Sequence, residues 1–263
     1  MKQAWQIGDG LSLLFALVAN FLVGAQIVHV PAINQISDTY ATVLTPAAYA
    51  FSIWSVIYLL LILFVGYQAR DVLKPKRQND LPQKIGPLFI IASICNGLWT
   101  YVFVQGYIGL SVFILLVLTA SLYLLLARLR VAVYDAGVTT IVFVWWPLLA
   151  YTGWVTVASV VNIASWLRSL DIIISPAAGA IMLVALAVAL IMLLVKRNVR
   201  ELLLASIWGI VAIGVQQLNQ TDGSRVVAMT ALMVSGVLLG AVAVHAYKNR
   251  QTNVALRLLR HSG

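Results

Sequence analysis

The sequence predicts an all-α protein, a polytopic bundle of about eight transmembrane helices. Of the 263 residues, 62% are hydrophobic and only 10% are charged, whereas soluble domains are roughly 25% charged. Mean hydropathy is +0.97. The apolar residues form runs close to the ~20 residues that a bilayer-spanning helix needs, and the basic residues concentrate in alternate loops. These three observations indicate a protein that lies in a lipid bilayer.

The apolar runs define eight predicted spans. The first follows Lys2, but it is too long for a signal-peptide core and has no clear small-residue cleavage site, so we expect it to remain as a helix. The predicted spans are 11–30, 47–68, 86–105, 108–127, 139–166, 176–195, 202–218 and 226–247.

The basic residues predict the orientation of these spans. With eight spans, 15 of the 17 basic residues fall on the side of the N-terminus, and the other side keeps Arg168 and Arg225. Because basic loops stay in the cytoplasm, we expect both termini to be cytoplasmic, in a bacterial plasma membrane. The partner of this charge is the lipid bilayer rather than nucleic acid, and the basic tail 248–260 is placed to contact anionic headgroups.

Aromatic residues mark one face of the second span and one face of the third. The second span carries Phe51, Trp54, Tyr58 and Leu61, and the third carries Asn96, Trp99 and Phe103, all at helical spacing. An amide in hydrocarbon needs a hydrogen-bond partner, so Asn96 points inward. Two roles stay open for it: a contact between helices, or the lining of a pocket.

The fifth span is the most decorated with aromatic and polar residues. On a helix, a single stripe is formed by Tyr151, Trp154, Ala158, Asn162 and Trp166. For Asn162 the same two roles stay open as for Asn96. Trp154, near the middle of the span, is expected to pack against helices or to line a pocket. Near the ends of the span, Trp145, Trp146 and Trp166 are expected in the interfacial aromatic belt.

The first outer loop, residues 31–46, has proline at both ends, Asp38 and no basic residue. It is either a plain connector or a lid over a pocket that opens outward. Residues 70–84 are expected to form a solvated cytoplasmic turn.

A GxxxG pattern, Gly236 to Gly240, lies in the eighth span. Such a pattern permits close backbone approach between helices. The approach is either within the bundle or across the interface of a homodimer.

Few residues offer chemistry. Each of the eight acidic residues, Asp9 included, is predicted in a loop or at a span end, which argues against an ion-driven pump. His29 and His245 end spans at opposite faces and cannot share a haem iron. Cys95 is the only cysteine, and no hydrolase or metalloprotease motif is present. We therefore expect no enzyme activity, no catalytic residue, no metal site and no cofactor.

Several of these residues follow a known family pattern. The matching pieces are Trp54-Ser-Val-Ile-Tyr58, Asn96-Gly-Leu-Trp99 with Phe103 and Gly106, and Tyr151, Trp154-Val155, Ala158, Asn162 and Trp166. In this order they resemble the tryptophan-rich sensory protein family (TspO/MBR), also called translocator or peripheral benzodiazepine receptor proteins. The resemblance divides the chain into a TspO/MBR-like five-helix bundle, 1–167, and three additional helices with a basic tail, 168–263.

The resemblance implies a pocket beneath the first outer loop that binds porphyrins or other tetrapyrroles, sterols or similar planar apolar molecules. Carried over by motif, the ligand-binding residues are Trp54, Tyr58, Asn96, Trp99, Phe103, Tyr151, Trp154 and Asn162. The expected function is ligand binding by a sensory or translocator-like membrane protein. The three extra helices leave open an alternative, a transporter of a small apolar or amphipathic solute.

The predicted orientation is testable by chemical labelling. Cysteines introduced at positions 38 and 222 are expected to react with an impermeant thiol reagent in intact cells, and one at position 78 is not. Labelling at 78 without labelling at 38 would reverse the topology.

Overall fold

The computed structural model describes residues 2–73, 81–134 and 136–249, and all elements of secondary structure in these ranges are helical. Eight helical stretches there are long and apolar enough to cross a membrane, which confirms the predicted helical membrane bundle. The elements are α1 (Lys2–Gly24), α2 (Ile33–Thr39), a 3₁₀ segment (Ala48–Ser52), α3 (Ile53–Leu73), α4 (Leu81–Ile85), α5 (Pro87–Val104), α6 (Ile108–Arg128), α7 (Val138–Thr140), a π segment (Ile141–Trp145), α8 (Trp146–Ser169), α9 (Pro176–Lys196), α10 (Arg200–Asn219) and α11 (Arg225–Lys248).

Two of the sequence predictions concern segments that extend beyond the described residues. These are positions 74–80 of the solvated turn 70–84 and the basic tail beyond Asn249.

Local sequence signals set where the helices begin. Proline, which fits the first turn because it has no N–H to satisfy, starts both α5 and α9. Ser175 accepts a hydrogen bond from the Ala178 backbone N–H before α9, and Ser224 does the same from Val227 before α11. Side-chain caps of this kind satisfy N–H groups that the helix itself leaves unpaired.

Five helices close into a ring. In order around it, α3 packs on α1, α1 on α5, α5 on α6, α6 on α8, and α8 returns to α3. The interior of the ring is filled by buried side chains such as Ile57, Phe64 and Leu118. The outer surface presents large apolar side chains, for example Phe113, which is 65% exposed. Because apolar atoms in lipid carry no hydration cost, this exterior fits a bilayer and would be unstable in water.

The three C-terminal helices attach to the ring mainly through α10, which packs closely on α8. A Cβ on Gly153 would overlap the carbonyl oxygen of Leu202, so only glycine permits this approach. Beside it, the Ser206 hydroxyl lies 3.0 Å from both the Gly153 and the Leu202 carbonyl oxygens and donates to them. Helices α9 and α11 pack with α10 and with each other.

The first helix begins earlier than expected, and this changes the position of Asp9. The predicted span 11–30 is in fact the helix Lys2–Gly24, because the polar residues before position 11 continue the helix. Asp9 is fully buried, and neither carboxylate oxygen has a hydrogen-bond partner among the residues that the structure describes. The expectation that every acidic residue lies in a loop or at a span end is therefore wrong for Asp9.

The GxxxG pattern of α11 does not pack inside the described bundle. A Cβ on Gly236 or Gly240 would meet nothing within 4 Å. Of the two roles that the sequence left open, contact within the bundle is excluded for the described residues, and the homodimer stays a prediction.

Gly153 provides a test of how the C-terminal helices are attached. Gly153→Ala is expected to destabilise the protein by about 1–3 kcal/mol, the usual cost of overpacking, and to lower its melting temperature in detergent. The matched control is Gly66→Ala in α3, where the added methyl meets open space and alanine favours a helix over glycine. Equal melting temperatures for the two variants would contradict the close α8–α10 contact.

Candidate functional site

An aromatic cluster lies where α3, α5 and α8 meet, and Trp54 is at its centre. The Trp54 ring stacks on Tyr58 at 5.3 Å between centroids, and it lies 6.3 Å from Trp99. It meets Tyr151 edge-on at 5.9 Å and Trp154 at 6.1 Å. These are favourable separations for aromatic pairs, whose positive edges meet negative faces. These five aromatic side chains, from three helices, therefore form one packed unit.

A small cavity adjoins this cluster. Its volume is about 30 Å³, room for one or two water molecules. Its walls are mostly apolar and aromatic, and they come from the loop 31–46, the 3₁₀ segment, α5, α8 and α10. The lining residues are Ser37, Pro46, Phe51, Trp99, Phe103, Trp154, Val157, Ala158, Val161, Asn162, Ser165 and Gly209.

The eight sequence-predicted site residues fall into two layers. Four of them line the cavity, namely Trp99, Phe103, Trp154 and Asn162. The other four lie in the packed layer next to it, namely Trp54, Tyr58, Asn96 and Tyr151. Tyr151 is 1% exposed, so it supports the wall from behind.

Some lining residues were not singled out from sequence. Gly209 belongs to α10, and nothing in its local sequence relates it to the fifth span. Its lining position follows from the contact between α10 and α8, since a Cβ there would come within 3.0 Å of Val157. The position of Ser165 was predictable from the helical period, because it lies one turn beyond Asn162 and therefore on the same face of the helix.

Asn162 combines the two roles that the sequence left open. Its Oδ1 accepts a hydrogen bond from Trp99 Nε1 at 3.2 Å, and its Nδ2 donates to Ser111 Oγ at 2.9 Å. These bonds connect α8 with α5 and α6. Because Asn162 also lines the cavity, it holds Trp99 in place as a wall.

Asn96 connects helices and does not line the cavity. Its Oδ1 accepts hydrogen bonds from Asn20 Nδ2 at 2.9 Å and from the Tyr58 hydroxyl at 3.1 Å. Thr100 completes the network by donating to Asn20 Oδ1 at 2.8 Å. The network ties α1, α3 and α5 together, as expected for amides that hydrocarbon cannot solvate.

The loop 31–46 covers the cavity. Its residues Ser37 and Pro46 line it, which places the loop where a lid would be. Helix α10 forms two hydrogen bonds with the segment that follows this loop. The Ala47 backbone N–H donates to the Ala212 carbonyl at 3.0 Å, and Trp208 Nε1 donates to the Ala50 carbonyl at 3.0 Å.

The expectation of an aromatic belt stays a prediction for Trp146 and Trp166 and fails for Trp145. Trp166 is 38% exposed, and Trp146 is half-buried. Trp145 is buried and meets Tyr134 edge-on at 5.3 Å, so its assignment to the belt is wrong. The π segment that ends at Trp145 shifts the helical register there, and a uniform helical wheel does not reproduce that shift.

These features define a class: an integral membrane helical bundle with an aromatic-walled cavity under an extramembrane loop. The family comparison agrees with the geometry. The model of the TSPO-like protein family matches residues 6–244, and the chain belongs to this family.

The family match extends into α11, so it includes the three C-terminal helices. The predicted division of the chain at residue 167 stays a prediction. No curated protein and no solved structure shows a significant match to the chain.

The Asn162 network yields a stability prediction. Asn162→Leu leaves Trp99 Nε1 and Ser111 without their partner, and interhelical hydrogen bonds in membranes contribute about 0.6 kcal/mol on average and up to about 1.7. We expect a loss of about 1–3 kcal/mol, measured as a lower melting temperature in detergent and in bilayers. Thr230→Val is the control, since Thr230 bonds only to its own helix, at Val226 O. Wild-type stability of Asn162→Leu would leave Asn162 without an interior role.

Proposed function

We propose that this protein binds a planar apolar ligand, a porphyrin or other tetrapyrrole or a sterol-like molecule, between the aromatic cluster and the loop 31–46. The observation that supports this most directly is the composition of the cavity wall. Four aromatic rings, from Phe51, Trp99, Phe103 and Trp154, surround one amide, Asn162. Aromatic faces stack on planar rings, and a single amide is able to orient a polar edge. The proposed role is binding rather than catalysis.

Two buried indole N–H groups indicate which atoms a ligand would offer. Trp54 Nε1 and Trp154 Nε1 have no hydrogen-bond acceptor among the described residues, and both side chains are buried. A buried N–H without an acceptor is costly, by about 1–3 kcal/mol. A ligand that carries acceptor atoms at its edge, such as a carboxylate, carbonyl or hydroxyl oxygen, would remove that cost at Trp154, which lines the cavity.

Binding requires the cavity to enlarge. A typical ligand pocket has a volume of roughly 300–1,000 Å³, far above the 30 Å³ found. In the proposed mechanism the loop 31–46 moves away and the aromatic side chains change rotamer to admit the ligand. The bonds from Ala47 N–H and Trp208 Nε1 to backbone carbonyls hold the closed form, so α10 sets how readily the loop opens.

The proposed orientation places both termini in the cytoplasm of a bacterium and the loop 31–46 outside its plasma membrane. The 15 basic residues on the side of the termini support it. Ligand then reaches the cavity from the outer surface or the outer leaflet.

Transport of a small apolar or amphipathic solute is the second candidate function. The buried carboxyl of Asp9 within the first span favours it, because ionisable groups inside membrane helices often mark substrate or ion pathways. Solute flux in proteoliposomes that depends on the protein would support transport. Saturable binding without flux would support binding alone.

The binding proposal is tested by titrating purified protein with a porphyrin and following tryptophan fluorescence. Loss of one aromatic wall is expected to weaken binding by roughly three- to tenfold, since a ring pair contributes about 0.5–1.5 kcal/mol beyond area burial. The variants are Trp99→Leu and Trp154→Leu in the wall and Trp54→Leu behind it. Trp5→Leu, near the start of α1, is the control that also removes one fluorophore. The pocket is refuted if wild type does not bind porphyrin or if all four variants bind equally well.

A further inference from the structure

A second, larger cavity lies at the other face of the bundle. Its volume is about 460 Å³, and it is bounded by the end of α3, by α4, by the end of α6 and by the start of the helix Val138–Ser169. Its lining residues are Tyr67, Leu81, Lys84, Arg128, Leu129, Arg130, Tyr134, Thr140, Val144 and Trp145. This volume is within the range of ligand pockets, roughly 300–1,000 Å³.

Positive charge dominates the lining of this cavity. Lys84, Arg128 and Arg130 all line it, and none of the lining residues that the structure describes is an aspartate or a glutamate. Within the described ranges these three side chains form no ion pair; Arg128 donates one hydrogen bond, to the Gln83 carbonyl at 3.3 Å. Three cations around one concavity, whose described lining has no carboxylate, create a field that attracts an anion.

The remaining walls are apolar and aromatic. Tyr134 packs edge-on against Trp145 at 5.3 Å between ring centroids. Tyr67 stacks on Phe143 at 5.5 Å, and the Arg70 guanidinium lies 3.5 Å from the centroid of the Tyr67 ring. Leu129 and Val144 are buried behind them. A ligand that fits this lining has an anionic head and an apolar body.

The backbone around the cavity holds an unusual conformation. Arg130 and Ala132 adopt positive φ angles of 50° and 59°, a region that residues with a Cβ rarely enter. The Ala132 carbonyl accepts a hydrogen bond from Asn198 N–H at 3.4 Å, which ties this turn to the segment before α10. On the opposite wall, Val144 and Trp145 belong to the π segment, a distortion often found at functional sites.

We propose that this cavity binds the headgroup of an anionic phospholipid. The phosphate lies among Lys84, Arg128 and Arg130, and the glycerol and upper acyl chains lie against the aromatic wall. The position in the bundle argues for a lipid: Tyr67 and Arg128 lie near the ends of two membrane-spanning stretches, and Thr140 lies near the start of a third, the level at which headgroups lie. Guanidinium groups suit phosphate because they donate two hydrogen bonds in one plane.

The test uses the full chain in nanodiscs of phosphatidylcholine with or without 20% phosphatidylglycerol. Lipid that is retained after transfer to detergent is measured by native mass spectrometry. Wild type is expected to retain phosphatidylglycerol selectively, and Arg128→Gln with Arg130→Gln to weaken its binding by roughly ten- to thirtyfold. Lys196→Gln with Arg197→Gln is the matched control, which removes the same charge outside the cavity and is expected to bind as wild type does.

A single substitution keeps the test valid if the double variant does not fold. Lys84 is exposed in the short helix α4, and Lys84→Gln is expected to lose about threefold or more in phosphatidylglycerol binding. Equal losses in the cavity and control variants would show general surface charge and overturn the proposal. If inorganic phosphate displaces the bound lipid at millimolar concentration, or stabilises the protein as strongly as the lipid does, the lipid assignment is overturned in favour of a soluble phosphate ligand.

Discussion

The absence of hydrogen-bond partners in hydrocarbon is the constraint on which this structure depends. An amide exposed to lipid would lose its bonds to water and gain none. The helices that carry Asn96 and Asn162 are therefore oriented with these side chains toward the interior. Asn96 then joins α1, α3 and α5, and Asn162 joins α5, α6 and α8. With the rotations set in this way, the aromatic residues at helical spacing from these amides also face the interior. The cavity and its aromatic wall are a consequence of that geometry.

The C-terminal helices contribute to the cavity under the loop 31–46 through α10. The close approach at Gly153 brings α10 against α8, and α10 then supplies both a wall of the cavity, at Gly209, and the acceptor for the Ala47 N–H of the loop. A change at the contact between these helices is therefore transmitted to the cavity cover. This gives a physical reason for a family match that continues to residue 244.

The two cavities differ in the chemistry that they offer, and they lie toward opposite faces. The cavity under loop 31–46 is small and aromatic, with one amide. The other is large, basic and open toward the face where α6 ends. Asp9 is buried in α1, whose N-terminal half lies toward the basic face. A planar apolar molecule with an acceptor atom at its edge suits the first environment, and an anion with an apolar body suits the second.

The sequence by itself determined the fold class, the number of spans and the inward faces of the second, third and fifth spans. These follow from apolar run length, helical period and the cost of unpaired amides, which are all local quantities. Only the tertiary structure decided that Asn96 joins helices while Asn162 also lines the cavity, and that Gly209 completes the wall. It also buried Trp145 and Asp9. These outcomes depend on which helices are neighbours and on one π segment that shifts the register, and residue spacing within a single span carries no information about either.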